Sequence, residues 1–244
     1  MQDSQYKNIL HMHVPSELDE NILSSYDGFI LGSVFCGQSR IDKNYSRWKS
    51  IIETLGNEKK EIYIQQPFYL YPDEKSLLDT MCTIGKKASI SGIFTNSPGA
   101  ALSYSDNGFF PILSRFTIKK RKRANQYFWE RLLEKGVNTI ECFAYDSQLI
   151  EDIENFSLPI NIWKRDTKFA YNSFSPKCLI QHYQDDCKKN PEKCISGDYK
   201  LENEKKCICN TVSGNIIYNH CEEIIRDTKK ENDVYVYNQG RYEL

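Results

Sequence analysis

Glu61-Ile62-Tyr63-Ile64-Gln65, followed by Tyr71-Pro72-Asp73 and then by Leu77, Leu78 and Met81, is one complete βα unit written in twenty-one residues. The first five are mostly β-branched or aromatic, the composition of a short strand. Tyr71-Pro72-Asp73 supplies a turn and a cap. Leu77, Leu78 and Met81 then fall on one apolar stripe of a helix over Asp73–Met81.

Outward from this unit the same alternation continues along the chain. Further strands are expected at Ile9–His13, Gly28–Gly32, Ser89–Thr95, Phe110–Leu113, Thr139–Phe143, Ile160–Lys164 and Cys207–Thr211. Helices are expected at Ser16–Ser25, Tyr45–Leu55, Ala124–Glu134 and Ser147–Asn155, with another after Tyr218. Eight strands with helical returns predict an α/β chain forming a compact or trimmed (β/α)8 TIM-type barrel. An open doubly wound sheet shares the same periodicity. With 244 residues and 40% apolar content, the sequence fits a single domain over 1–244.

The formal net charge of −1 makes no overall case for a nucleic acid or an anionic membrane as partner. The run Ile118-Lys119-Lys120-Arg121-Lys122-Arg123 is the strongest local one, and a solvated loop explains it as well as an RNA contact does. MQDSQYKNIL lacks a basic and then apolar leader. No window approaches the ~20 apolar residues of a membrane span, so a cytoplasmic protein is expected.

Cysteine is the unusual feature. Five of the nine fall within Cys178–Cys209, CLIQHYQDDCKKNPEKCISGDYKLENEKKCIC, a polar stretch with Pro191, Gly197 and no apolar period. A loop over 176–209 is expected there, leaving from the C-terminal rim of the barrel. In a reducing compartment an odd set of nine argues for a metal site plus buried thiols, because thiolate sulfur suits iron–sulfur clusters and zinc. Zinc sites usually show a CxxC knuckle, which this sequence lacks. In a barrel, Cys36, just past the second strand, and Cys178, past the seventh, lie at the same rim. Cys82, Cys142 and Cys221 fall on expected helices or strands and are read as core thiols.

Three blocks, in order, resemble the peptidase U32 (collagenase-like) family, and within it the UbiV-type iron–sulfur accessory hydroxylase subunit. They are Asp27-Gly28-Phe29-Ile30-Leu31-Gly32-Ser33-Val34-Phe35-Cys36; Phe169-Ala170-Tyr171-Asn172-Ser173 leading through Lys177 to Cys178; and Thr211-Val212-Ser213-Gly214 followed by Tyr218-Asn219. The resemblance implies a 4Fe–4S cluster and oxygen-independent hydroxylation of a small, in some members aromatic, metabolite. Prephenate is the proposed oxygen donor, and a second U32 protein the heterodimer partner. It leaves open a non-catalytic iron–sulfur partner subunit and, as in other members, an RNA-base hydroxylation factor.

Carried across residue by residue, the resemblance makes Cys36, Cys178 and Cys194 ligands. The family's final pair stands four apart, whereas Cys187 and Cys194 stand seven apart. Cys187 is taken as the remaining ligand, with Cys207 and Cys209 in reserve because two-residue spacing suits one face of a strand.

Arg115, Lys164 and Arg165 stand at strand ends, where they suit a carboxylate-bearing substrate or plain surface charge. His11 and His13 share a strand face and suit a metal, an anion or the barrel lining. Tyr63, Phe68, Tyr69 and Tyr71 suit ring stacking or ordinary packing. No Ser-His-Asp or HExxH pattern accompanies them.

Overall fold

The computed structural model describes residues 7–12, 15–32, 40–67, 74–114, 125–143, 146–165, 169–174, 210–213, 216–220 and 234–238. Seven strands follow the expected order: β1 (Lys7–Met12), β2 (Gly28–Leu31), β3 (Glu61–Gln65), β4 (Gly92–Thr95), β5 (Pro111–Leu113), β6 (Thr139–Phe143) and β7 (Asn161–Arg165). Three further strands, β8 (Phe169–Phe174), β9 (Asn210–Ser213) and β10 (Ile216–His220), form a separate antiparallel sheet in the order β8-β10-β9. The eighth barrel strand is β11 (Val234–Asn238), which pairs in parallel with both β1 and β7 and closes the barrel.

Closure excludes the open doubly wound alternative and corrects the eighth strand. Asn210–Ser213 is extended, in keeping with a strand near Cys207–Thr211, but it belongs to the small sheet. Val234-Tyr235-Val236-Tyr237-Asn238 takes the barrel position because the seam buries it: Tyr235 and Val236 are almost wholly enclosed between β1 and β7. Tyr218 lies within β10, and residues 221–233, where the sequence predicts a helix, are outside the described residues.

The helices are α1 (Glu20–Ser25), α2 (Tyr45–Asn57), α3 (Glu74–Ala88), α4 (Pro98–Asp106), α5 (Gln126–Leu133) and α6 (Ser147–Asn155). Caps set several of their starts. Asp19 accepts from the Ile22 amide at 2.7 Å, Ser97 from Ala100 at 3.2 Å and Asn125 from Phe128 at 3.1 Å, each filling one donor the helix leaves open. Helix α4 is not predicted by the sequence pattern. Its residues, PGAALSYSD, are small and polar, and it packs by the small size of Ala100 and Ala101 rather than by a sharp apolar stripe.

Two clusters pack helices on the barrel's outside. One gathers Trp48, Leu55, Ile64, Met81 and Tyr104, the other Trp129, Leu132, Ile140, Cys142 and Ile153. A third fills the lumen: Ile9, Ile30, Tyr63, Phe94, Ile112, Trp163 and Val236, one from each of seven strands. Tyr63 and Phe94 meet Trp163 edge-on, at 5.1 and 5.5 Å between ring centres. Such large rings fit because Gly28 and Gly92 sit on the same inner face. A Cβ on Gly92 would come 2.6 Å from the Phe110 carbonyl oxygen and 3.2 Å from the Tyr63 ring.

Candidate functional site

Parallel strands bring all eight C-terminal ends to one mouth, and the inward residue there lies two positions beyond the apolar lumen residue of the same strand. Counting on from Ile9, Tyr63, Ile112 and Trp163 gives His11, Gln65, Ser114 and Arg165. Glu141 stands opposite Trp163 in the β6–β7 register. All five are buried and polar. The lumen therefore changes over one layer from aromatic packing to hydrogen-bonding groups, and does so at the end where barrels bind ligands.

The bonding at this mouth is specific. Arg165 pairs with Glu141 through Nε, 2.6 Å from Oε1, and through Nη2 to the same oxygen. Ser114 Oγ donates to the other carboxylate oxygen at 3.3 Å. The two charges compensate one another with little exposure to water. His11 Nε2 lies 2.9 Å from the Gly32 carbonyl, an acceptor, so Nε2 carries the hydrogen. Gln65 Nε2 donates to the Gln66 carbonyl at 2.9 Å and, at longer range, to that of Phe94. The side-chain amides of Asn96, on the inward face, and of Gln66, on the outward one by the same count, are buried with no hydrogen-bond partner.

Toward the opposite end the lumen carries an ion pair. Tyr63 donates its hydroxyl to Glu61 at 2.7 Å, and Glu61 also pairs with Lys7. Burial first, and then the Glu61 contact, push the Tyr63 phenol well above its ordinary range.

Of the residues singled out from sequence, Arg165 lies within the mouth and is ion-paired there, and Lys164 is half-buried at the neighbouring position of β7. Arg115, His13, Phe68, Tyr69 and Tyr71 lie outside the described residues, as do Cys36, Cys178, Cys187, Cys194, Cys207, Cys209 and Cys221. In sequence Cys36 follows Gly32, just past β2, by four positions, and Cys178 follows the end of β8 by four.

Cys82 and Cys142 are buried and in no disulfide, as expected of core cysteines. Burial pushes the Cys82 thiol up, the direction opposite to that of a metal-ligating thiolate. Among the described residues no group of three or more His, Cys, Asp or Glu could hold a metal ion. A cluster's ligands would therefore have to come from the cysteines outside them. No described helix is long and apolar enough to cross a membrane.

Glu141, Ser114, Gln65 and Asn96 are not singled out by the sequence. Their signal is positional: a polar residue at or just beyond the end of an apolar strand becomes informative once the inward face is known.

No protein-family model matches this sequence. No curated protein matches it either. Among solved structures, that of a U32 peptidase superposes with a TM-score of 0.57 at 9% identity, over 100% of this chain and 96% of its own. A glycerol uptake operon antiterminator-related protein from Thermotoga maritima gives a TM-score of 0.43 at 15% identity, over 67% of this chain and 84% of its own. For 3-dehydroquinate dehydratase from Geobacillus kaustophilus the values are 0.43, 12%, 70% and 75%. The superposition on the U32 peptidase shows a shared fold along the whole chain; the other two are too partial to add to it.

Proposed function

We propose that this chain is a U32-type barrel protein that carries a 4Fe–4S cluster and takes part in oxygen-independent hydroxylation of a small metabolite, beside a second U32 subunit. The observation that carries this reading is the shared fold over the full length of the chain. It is joined by the order of the Cys36, Cys178 and Thr211–Gly214 blocks, which resembles that of the UbiV-type subunit. The thiolates of Cys36, Cys178, Cys187 and Cys194 would hold the cluster, with Cys207 or Cys209 able to replace Cys187. When bound, such a cluster supplies one-electron transfer.

The described residues of the mouth bind and orient. Ser114 and Arg165 fix the Glu141 carboxylate. Arg115 and Lys164 are the cations proposed for a carboxylate-bearing co-substrate, with prephenate the proposed oxygen donor.

The test is anaerobic purification with iron and sulfide analysis. About four iron and four sulfide per chain are expected, falling sharply in Cys36→Ala and Cys194→Ala. A colourless, iron-free chain after careful reconstitution would overturn the reading. Co-expression with a second U32 chain separates a catalytic from a supporting role: substrate turnover by the isolated chain would exclude the purely supporting one.

A further inference from the structure

We propose that the flank of the barrel formed by α1 and α2 is where two copies of this chain pair. The pairing depends on neither the cluster nor the second U32 subunit proposed above. Between the two elements lies an open groove of about 530 Å³. Residues 15–18, just ahead of α1, form one wall; Arg47, Ser50, Ile51 and Thr54, one stripe of α2, form the other.

Helix α1 is unusually uncovered. Alone among the described helices it has no buried residue. The sequence predicts a helix from Ser16, but the Asp19 carboxylate caps the chain and α1 starts at Glu20, so residues 15–18 stand as an irregular ridge beside α2. Leu18, Ile22 and Leu23 pack on the outer core and yet stay half-buried. Aliphatic side chains left half-covered around an open groove gain from a protein surface laid over them.

Charge selects which surface. On the ridge side Glu17, Asp19 and Glu20 are exposed, and at the entry to α2 Lys43 and Arg47 are. Acids thus stand on one side of the groove and bases on the other. A partner of a single sign would be drawn to one wall and repelled by its neighbour. A second copy, turned about a two-fold axis running along the groove, sets its acidic ridge against the first copy's α2 wall and receives the reverse contact in return. Leu18 of each copy then packs toward Ile51 of the other, with Glu17 beside Arg47.

Sedimentation of the full chain over a range of concentrations should show a monomer–dimer equilibrium that weakens as salt rises, because the charges involved are exposed and screened. Glu17→Arg makes both walls basic, and Arg47→Glu makes both acidic. Each variant alone should dimerise at least about tenfold more weakly than the wild type. Mixed in equal amounts the two should pair with one another, since each supplies the sign the other lacks. Leu18→Ser, which changes no charge, should weaken the dimer at every salt concentration. Thermal melts establish that each variant is folded, and Glu17→Gln with Arg47→Gln replaces any charge reversal that is not.

A wild-type chain that stays monomeric up to about 0.1 mM, folded variants that dimerise as well as the wild type, or a mixture of the two reversals that stays monomeric would each overturn the interface. Iron content of the same samples reads the cluster separately. An iron-loaded monomer would sink this inference alone, and an iron-free chain that dimerises through these residues would sink only the cluster.

Discussion

Arg165 and Glu141 hold opposite charges out of water inside the barrel mouth, and each offsets part of the other's cost of burial. Glu141→Leu or Arg165→Met alone should cost about 3–5 kcal/mol, because the surviving charge stays buried and loses the opposite charge beside it. The double variant should recover most of that loss. Urea denaturation of the four proteins measures the coupling, and additive losses would show that the pair is solvated independently. At the other end, Tyr63 gives a pH signature. Its folded-state value is raised above the ordinary 10.0, so above that pH the unfolded chain gives up a proton that the folded chain keeps. The stabilisation is complete below about pH 10 and is lost as pH rises beyond it. Tyr63→Phe should remove this part of the alkaline decline in stability, as read from melting curves between neutral and strongly alkaline pH.

Among elements, β4 shows how a strand is admitted to a crowded barrel. Its first residue, Gly92, leaves room for the Phe110 carbonyl and the Tyr63 ring, so Gly92→Ala must displace backbone or aromatic packing. A loss of about 1–3 kcal/mol in denaturant unfolding is expected. Elements whose residues alternate or stripe cleanly are legible in the sequence: β3, β6 and α6 fall where their patterns place them. Helix α4 is not, because small residues pack without periodic contrast; β11 has the β-branched and aromatic composition of a strand but is not among the strands expected from the sequence, where the eighth is placed near Cys207–Thr211. The mouth residues are harder still. Glu141 and Ser114 lie on different strands twenty-seven residues apart and acquire meaning only when the sheet brings them together.

For the molecule as a whole, closure depends on a strand from far along the chain. Sixty-eight residues separate Arg165 from Val234, and that interval contains the antiparallel sheet and the cysteine-rich stretch. During synthesis from the N-terminus, seven strands leave the ribosome before the eighth exists. At about 5–20 residues per second the gap lasts roughly 3–14 s. Throughout that time β1 and β7 expose the unpaired backbone edges on which nascent chains aggregate. Shielding of those edges, by a chaperone or by provisional pairing with the segment being made, would raise the yield of sealed barrel.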